Sequence, residues 1–173
     1  YWLVIIGYAR LQALLERVKA GEDFTATLAG ARLEASGRNV LIVREAGELR
    51  RRAAQALALT PGTHVVWDGR FELQAQERGW SVGAAQGRMA RLSPADRARL
   101  SRLPSSARAA WPVLMRGEGA PVLAAESVAV RGLTAERMRL ASGETTHEDD
   151  LRSPADGEGS WNPLCLCAEH MTV

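Results

Sequence analysis

Asp68 and Arg70 are the first candidates in this chain for residues that could do chemistry. They are an acid and a base on either side of a glycine. Acid–base catalysis by carboxylates needs a cleft to hold the reacting groups, and the sequence alone does not reveal one. Turn chemistry explains the same residues: Asp68 would bond backbone amides and Arg70 would pair locally. The sequence contains no Cys-x-x-Cys redox pair. The spacings of its Ser, His and Asp residues are no more than chance would give. We therefore interpret Asp68 and Arg70 as turn residues.

A second candidate for chemistry is the C-terminal group Cys165, Cys167 and His170, which imitates a metal site. Closed structural zinc sites use four ligands, and only these three are credible here. His147 is distant in sequence and flanked by acids. We predict that the chain binds no metal.

Arginine is the third candidate, because its planar guanidinium suits bidentate contacts with phosphate. All but one of the 22 basic residues are arginines, and residues 1–140 hold 21 of them against 13 acids, a formal charge of +8. Residues 141–173 carry one arginine and seven acids, a formal charge of −6. The excess of positive charge in residues 1–140 favours RNA as a partner. The alternative is that the arginines reflect only the composition of a GC-rich genome.

Two groups of arginines are placed to contact RNA: Arg50, Arg51 and Arg52, and the pair Arg99 and Arg102. Three consecutive residues cannot share one helix face, so at most two of the first group would meet a single run of phosphates. Arg99 and Arg102 lie one turn apart on a predicted helix, with Leu100 and Leu103 turned inward. These five arginines are the predicted RNA-binding residues, chosen from charge placement alone.

The sequence pattern predicts an α+β fold for the elements that position these residues. The fold has an N-terminal helix, a small and mostly antiparallel sheet of short strands and hairpins, and two or three short helices. Leu11, Leu14, Leu15 and Val18 recur at helical spacing, and Gly21 ends this first helix. We expect the helix to pack on its own sheet. The alternative is that its apolar start packs against another domain.

The strands are predicted between Thr25 and Leu73, with Asp68-Gly69 as a hairpin turn or a bulge. Ser93 is the expected N-cap of a helix that runs to about Leu103, and a shorter helix follows. A further hairpin would pair residues 113–115 with 122–124, a strand would follow at 125–130, and Thr134 would cap a last helix.

At 173 residues the chain is long enough for one domain with a real core. We divide it into a helical connector at 1–22, an α+β domain at 23–141 and an acidic tail at 142–173. The tail is rich in Gly, Glu, Asp, Ser and Pro and is predicted to be disordered, because it has too little apolar surface to bury.

Several short sequences, taken in order, resemble the C-terminal part of tRNA(Ile)-lysidine synthetases of the alphaproteobacterial kind. They are Phe24-Thr-Ala-Thr-Leu-Ala-Gly30, Arg44-Glu45, Trp67-Asp-Gly-Arg-Phe71, Leu103-Pro104 to Arg108, and Trp111-Pro-Val-Leu114. The resemblance covers roughly residues 8–141, and it depends on the order and spacing of these motifs rather than on any one of them.

The resemblance implies an enzyme that uses ATP to join lysine to the anticodon cytidine of tRNA(Ile). The family's ATP-pyrophosphatase domain is N-terminal and carries a Ser-Gly-Gly-x-Asp-Ser loop that is not found here. No Gly-x-x-x-x-Gly-Lys-[Ser/Thr] or Gly-x-Gly-x-x-Gly appears either. We therefore expect a tRNA-handling ligase fragment that is inactive alone, with no catalytic residue and no cofactor of its own. ATP and Mg²⁺ would belong to the N-terminal domain.

The implied partners are tRNA(Ile) and the N-terminal catalytic domain, and the expected compartment is the cytoplasm. The two cysteines give no disulfide framework, and the apolar run at residues 1–9 is too short to span a membrane. The chain opens at Tyr1 rather than Met, which fits a fragment. Two alternatives stay open: a non-enzymatic structural or interaction domain, and a decayed gene fragment.

Overall fold

A computed structural model describes residues 2–52, 56–144 and 170–172, and it has the predicted α+β architecture. The helices are α1 (Trp2–Lys19), α2 (Ala46–Arg52), α3 (Pro94–Leu100), α4 (Ser105–Arg108) and α5 (Thr134–Ala141), with a 3₁₀ turn at Met89–Arg91. The strands are β1 (Phe24–Leu28), β2 (Ala31–Ser36), β3 (Asn39–Arg44), β4 (Leu57–Ala58), β5 (His64–Trp67), β6 (Phe71–Ala75), β7 (Trp80–Ala84), β8 (Pro112–Arg116), β9 (Val128–Gly132) and β10 (His170–Thr172).

The described strands divide into three small sheets in place of the single sheet that the sequence suggests. Their orders are β1-β2-β3-β10, β4-β7-β8 and β5-β6-β9. Every described pairing is antiparallel, as expected for strands that short turns connect.

Helix α1 packs on the first sheet, which confirms the favoured interpretation of the N-terminal helix. Leu14 is buried in a small core with Phe24, Ala35 and Val40 of the sheet. Leu11 and Leu15 belong to the predicted apolar stripe, yet they are 41% and 47% exposed. The sheet therefore covers only part of that stripe.

The second and third sheets share the main core with helices α3 and α4. Its least exposed apolar residues are Leu73, Ala75, Val82, Ala85 and Val113. Strand β6 alternates between buried and half-buried residues, as a strand with one face on a core must. Val43 of β3 also lies in this core, so the first sheet is tied to the other two.

The predicted hairpin between residues 113–115 and 122–124 is largely wrong. Strand β8 pairs over its whole length with β7, from Trp80 opposite Arg116 to Ala84 opposite Pro112. Only the bridge between Leu114 and Val122 remains of the predicted pairing. The strand expected at 125–130 is β9, which begins later and pairs with β6.

The helix predicted after Ser93 is confirmed, because the Ser93 hydroxyl accepts a hydrogen bond from the Asp96 backbone N–H at 3.0 Å. This helix, α3, ends at Leu100 rather than Leu103. Thr134 was predicted to cap the last helix, but it is the first helical residue. Leu133 takes the cap position without a side-chain hydrogen bond.

Most of the predicted disordered tail, 142–173, lies outside the described residues. Residues 170–172 form β10 and pair with β3, with Met171 opposite Val40. The sequence does not predict this strand. Within the described ranges, no helix combines the length and apolarity needed to cross a membrane.

The main core gives a direct test of the packing. Val82→Ala should lower the free energy of unfolding by about 2 kcal/mol, because Val82 is fully buried and its missing methyl groups leave a cavity. Val66→Ala is the matched control, since Val66 also lies on a strand but is 47% exposed. Its effect should stay within about 0.5 kcal/mol. Urea unfolding of both variants measures the difference, and equal losses would contradict this core.

Candidate nucleic-acid interface

The β5–β6 hairpin turns through Asp68 and Gly69, which both have positive φ, 52° and 69°. Asp tolerates this left-handed conformation better than most residues, and Gly adopts it without strain. The Arg70 N–H closes the turn on the Trp67 carbonyl at 3.2 Å. The hairpin turn, one of the two predicted alternatives, is therefore the one observed.

The Asp68 carboxylate binds two arginines that come from different parts of the chain. Its oxygens accept the Arg44 Nε–H at 3.0 Å and the Arg70 Nε–H at 2.8 Å. Each arginine also donates to a backbone carbonyl: Arg44 to Gly30 at 2.6 Å and Arg70 to Ala110 at 2.7 Å. We call Asp68, Arg44 and Arg70 the Asp68 cluster.

The Asp68 cluster rests on an aromatic group of the main core. Phe71 contacts Trp67 at a centroid distance of 6.2 Å and Trp111, edge to face, at 5.4 Å. The Arg70 guanidinium carbon lies 5.2 Å from the Phe71 ring centroid. Cation–π contacts of this kind add to the ion pair.

The chemistry of the Asp68 cluster is structural. The local pairing of Arg70 is confirmed, whereas Asp68 binds guanidinium groups and not the backbone amides that the sequence suggests. A cavity beside Arg44, Arg70 and Trp111 measures about 50 Å³. Ligand pockets are usually several hundred Å³, so this space is smaller than a typical substrate pocket.

The second feature is a concentration of positive charge, residues 78–116, which we call the arginine segment. It contains eight arginines and a single acid, Asp96. Strands β7 and β8 lie at its two ends, and the 3₁₀ turn, α3 and α4 form the connection between them. Because β7 and β8 are paired, the two ends of this connection lie side by side.

Several guanidinium groups of the arginine segment are held by neutral backbone carbonyls. Arg97 donates to Leu92 at 2.7 Å, and Arg108 donates to Ser101 at 2.8 Å and to Leu103 at 2.9 Å. A carbonyl fixes the direction of a guanidinium without cancelling its charge. Arg88 and Arg91 are held in the same way, by the carbonyls of Ala84, Glu118 and Gly119.

Cations elsewhere in the described chain more often face carboxylates. Arg131, on β9, binds Glu136 and also lies 3.3 Å from Glu72. Partial burial lowers the pKa of Arg131, but the hydrogen bonds and charges of Glu136 and Glu72 outweigh burial and raise its pKa above the ordinary value. Among the described residues, arginines that are held by backbone carbonyls and not by acids are therefore most frequent in the arginine segment.

The structure places the predicted pair Arg99 and Arg102 in this segment, with both residues exposed. Arg102 lies just beyond the end of α3, but its N–H donates to the Arg99 carbonyl at 3.1 Å, so the two remain one turn apart. Asp96 is 3.9 Å from Arg99, a weak partner at most. Leu100 and Leu103 are buried, as predicted.

The predicted group Arg50, Arg51 and Arg52 forms the end of α2, a different element that follows β3. Arg50 is exposed, and the side chains of the other two lie outside the described residues. The structure thus brings Arg99 and Arg102 together on one element and leaves the first group on another. RNA binding by these five residues stays a prediction.

Sequence reasoning did not name the other six arginines of the arginine segment: Arg78, Arg88, Arg91, Arg97, Arg108 and Arg116. The presence of only one acid, Asp96, from residue 78 to residue 116 was the available signal. Among the described residues, no group of histidines, cysteines and acids could hold a metal ion. Cys165, Cys167 and His147 lie outside those residues, so the prediction that the chain binds no metal remains a prediction.

Comparison with known proteins relates this chain to a family. The chain is 43% identical over 144 residues to a tRNA(Ile)-lysidine synthase from Caulobacter vibrioides. The predicted resemblance to the C-terminal part of tRNA(Ile)-lysidine synthases is confirmed. The match covers 78% of this chain, which spans about a third, 35%, of the relative's length. No protein-family model and no solved structure matches the chain.

The Asp68 cluster makes a sharp prediction about stability. Asp68→Asn keeps a residue that tolerates positive φ but removes the charge between two largely buried arginines. We expect a loss of about 2 kcal/mol or more in the free energy of unfolding. Glu22→Gln is the control, because it also neutralises a carboxylate bound to an arginine, Arg17, at 2.8 Å, but in an exposed pair.

Exposed ion pairs contribute little, so the Glu22→Gln control should change stability by less than about 0.5 kcal/mol. Denaturant unfolding at neutral pH compares the two variants. If the Asp68→Asn chain is as stable as the control, the Asp68 cluster does not hold together the parts of the chain that carry Arg44, Asp68 and Ala110.

Proposed function

We propose that this chain is the tRNA-binding C-terminal part of a tRNA(Ile)-lysidine synthase and that it positions tRNA(Ile) for catalysis elsewhere in the enzyme. Two findings support the proposal: the similarity to the Caulobacter enzyme and the arginine segment. The observation that carries it is the ratio of eight arginines to one acid over residues 78–116. RNA is the polyanion that such a surface suits best.

The contribution to the reaction would be geometric. Arginine contacts with phosphate fix the register and orientation of a nucleic acid but read little of its sequence. A well-placed substrate raises the rate because the reacting atoms already lie in reach, and small displacements lose that advantage. In this proposal Arg99 and Arg102 contact one run of phosphates, and Arg50, Arg51 and Arg52 supply a second contact.

The chemistry itself would belong to the N-terminal catalytic part of the enzyme, together with ATP and Mg²⁺. This chain would then need no cofactor of its own and would be inactive as a ligase by itself. The cytoplasm is the proposed compartment, because that is where tRNA would be available.

The exposed side of α1 is the proposed contact with the catalytic part. Tyr8, Leu11 and Leu15 lie on one helix face at spacings of three and four residues, and all are more than 40% exposed. The match covers only 35% of the relative's length, so the rest of such an enzyme could cover them. This surface also favours the alternative of a protein-interaction domain without a role in RNA binding.

Salt dependence separates the two functions and gives a prediction. Arg99→Ala with Arg102→Ala should weaken binding to tRNA and lower the slope of log K against log salt by about one per arginine. The control is Arg10→Ala with Lys19→Ala, which removes the same charge from α1. It should leave both the affinity and the slope close to wild type.

Fluorescence anisotropy with labelled tRNA(Ile) at several salt concentrations measures both quantities. A wild-type chain that binds no tRNA at low salt would contradict the proposed function. Equal losses in the two double variants would mean that net charge matters and that the arginine segment does not.

A further inference from the structure

We propose that Trp80, Arg116 and Glu77 form a stacking site for an unpaired RNA base at one end of the arginine segment. The inference rests on the proposed function, because it adds a base contact to a surface proposed to bind RNA phosphates. It assigns the site a chemical class of ligand, a single unstacked nucleobase.

Trp80 and Arg116 are directly opposite each other on the paired strands β7 and β8. The Arg116 guanidinium carbon lies 5.6 Å from the centroid of the Trp80 ring. Cross-strand neighbours of this kind are held together by the sheet itself. The backbone pairing therefore brings the two side chains within reach of each other, and the guanidinium lies over the ring.

Both groups are also fixed by side-chain contacts. The Trp80 indole N–H donates to the Ser127 hydroxyl at 3.0 Å, and its ring packs against the main core. Glu77 holds the Arg116 guanidinium at 2.9 Å. A preorganised platform loses little conformational entropy when a ligand binds.

The platform is open to a ligand. The Arg116 side chain is 55% exposed and the Glu77 side chain 52% exposed. Unpaired bases stack on arginine planes as well as on aromatic rings. A base that stacks on Arg116 would extend the existing arrangement of ring and guanidinium.

The charges favour a base over a phosphate at this point. Glu77 already neutralises Arg116, and Glu118 follows in the next turn, so a phosphate here would meet two acids. A neutral base meets no such repulsion, and amino groups on its edge can donate to a carboxylate.

The neighbouring cations suit the phosphates on either side of such a base. Arg78 is exposed and lies two residues before Trp80. Arg91 donates to the carbonyls of Glu118 and Gly119, so its charge lies beside the turn that follows Arg116. Sites for single-stranded nucleic acid combine these two features, a stacking surface and adjacent positive charge.

The chain contains a second arginine in almost the same arrangement, and it serves as the matched control. Arg17 lies 4.2 Å from the Phe24 ring centroid and binds Glu22 at 2.8 Å. Its surroundings differ, because Glu16 and Asp23 are close in sequence and the arginine segment is elsewhere. The nearby cation Lys19 is bound to Glu16 at 2.8 Å. Arg17 thus has the local geometry without the arginine segment beside it, and we assign it no role in RNA binding.

The test uses Arg116→Lys, which keeps the charge but removes the plane, with Arg17→Lys as its control. Each chain is titrated with an RNA stem–loop and with a fully paired duplex of equal length, at one salt concentration. Arg116→Lys should weaken stem–loop binding about fivefold or more. Duplex binding should stay within about twofold of wild type, because arginine and lysine at position 116 each carry one positive charge. Arg17→Lys should match wild type with both RNAs.

The NMR signal of the Trp80 indole N–H, assigned with Trp80→Phe, gives a readout at the site itself. It should move when the stem–loop is added to wild type and move much less in Arg116→Lys. Equal weakening for both RNAs, or no weakening, would overturn the stacking site while leaving the proposed function intact. If the wild-type chain binds neither RNA, the proposed function fails and this inference fails with it.

Discussion

The structure depends most on the ion pairs of one buried carboxylate. Asp68 is 7% exposed and sits between Arg44 and Arg70, whose other hydrogen bonds reach Gly30 and the carbonyl of Ala110. One acid thereby joins the first sheet, the β5–β6 hairpin and the end of α4. Gly30 suits its position, because its φ of +81° strains other residues and a Cβ there, 2.0 Å from an Arg44 nitrogen, would push the guanidinium out of the cluster.

The arginine segment depends on this arrangement. Arg70 donates to the carbonyl of Ala110, two residues before strand β8 begins. This bond ties the β5–β6 hairpin to the end of the connection between β7 and β8. The β7–β8 pairing fixes both ends of that connection, and carbonyl hydrogen bonds then orient Arg97 and Arg108 within it. A surface with fixed guanidinium groups and few acids follows from the fold, and it is the feature that a polyanion would recognise.

Local chemistry made some of the helices predictable from the sequence. Ser93 before Pro94 gave the start of α3, and the hydrophobic spacing of α1 gave part of its packing side, Leu14 and Val18, because caps and periodicity are decided within a few residues. The pairing of β8 was not predictable in this way. Its partner β7 is about thirty residues away, and a local hairpin with residues 122–124 satisfied the same pattern.

The candidate site shows the same limit. Arg99 and Arg102 were found by their spacing on a predicted helix. The part played by Arg97 and Arg108 depends on which carbonyls lie nearby in space, which the sequence does not state. The strand β10 was missed because its pairing with β3 joins residues more than 120 positions apart, within a tail whose composition predicts disorder.

The most direct test of the central claim is to map where RNA touches the chain. The 173-residue chain would be crosslinked by light to tRNA(Ile) containing 4-thiouridine, and the crosslinked peptides identified by mass spectrometry. We predict that crosslinks concentrate in residues 78–116, where eight arginines accompany a single acid. Crosslinks confined to other parts of the chain, or none above the level of an unrelated basic protein, would contradict it.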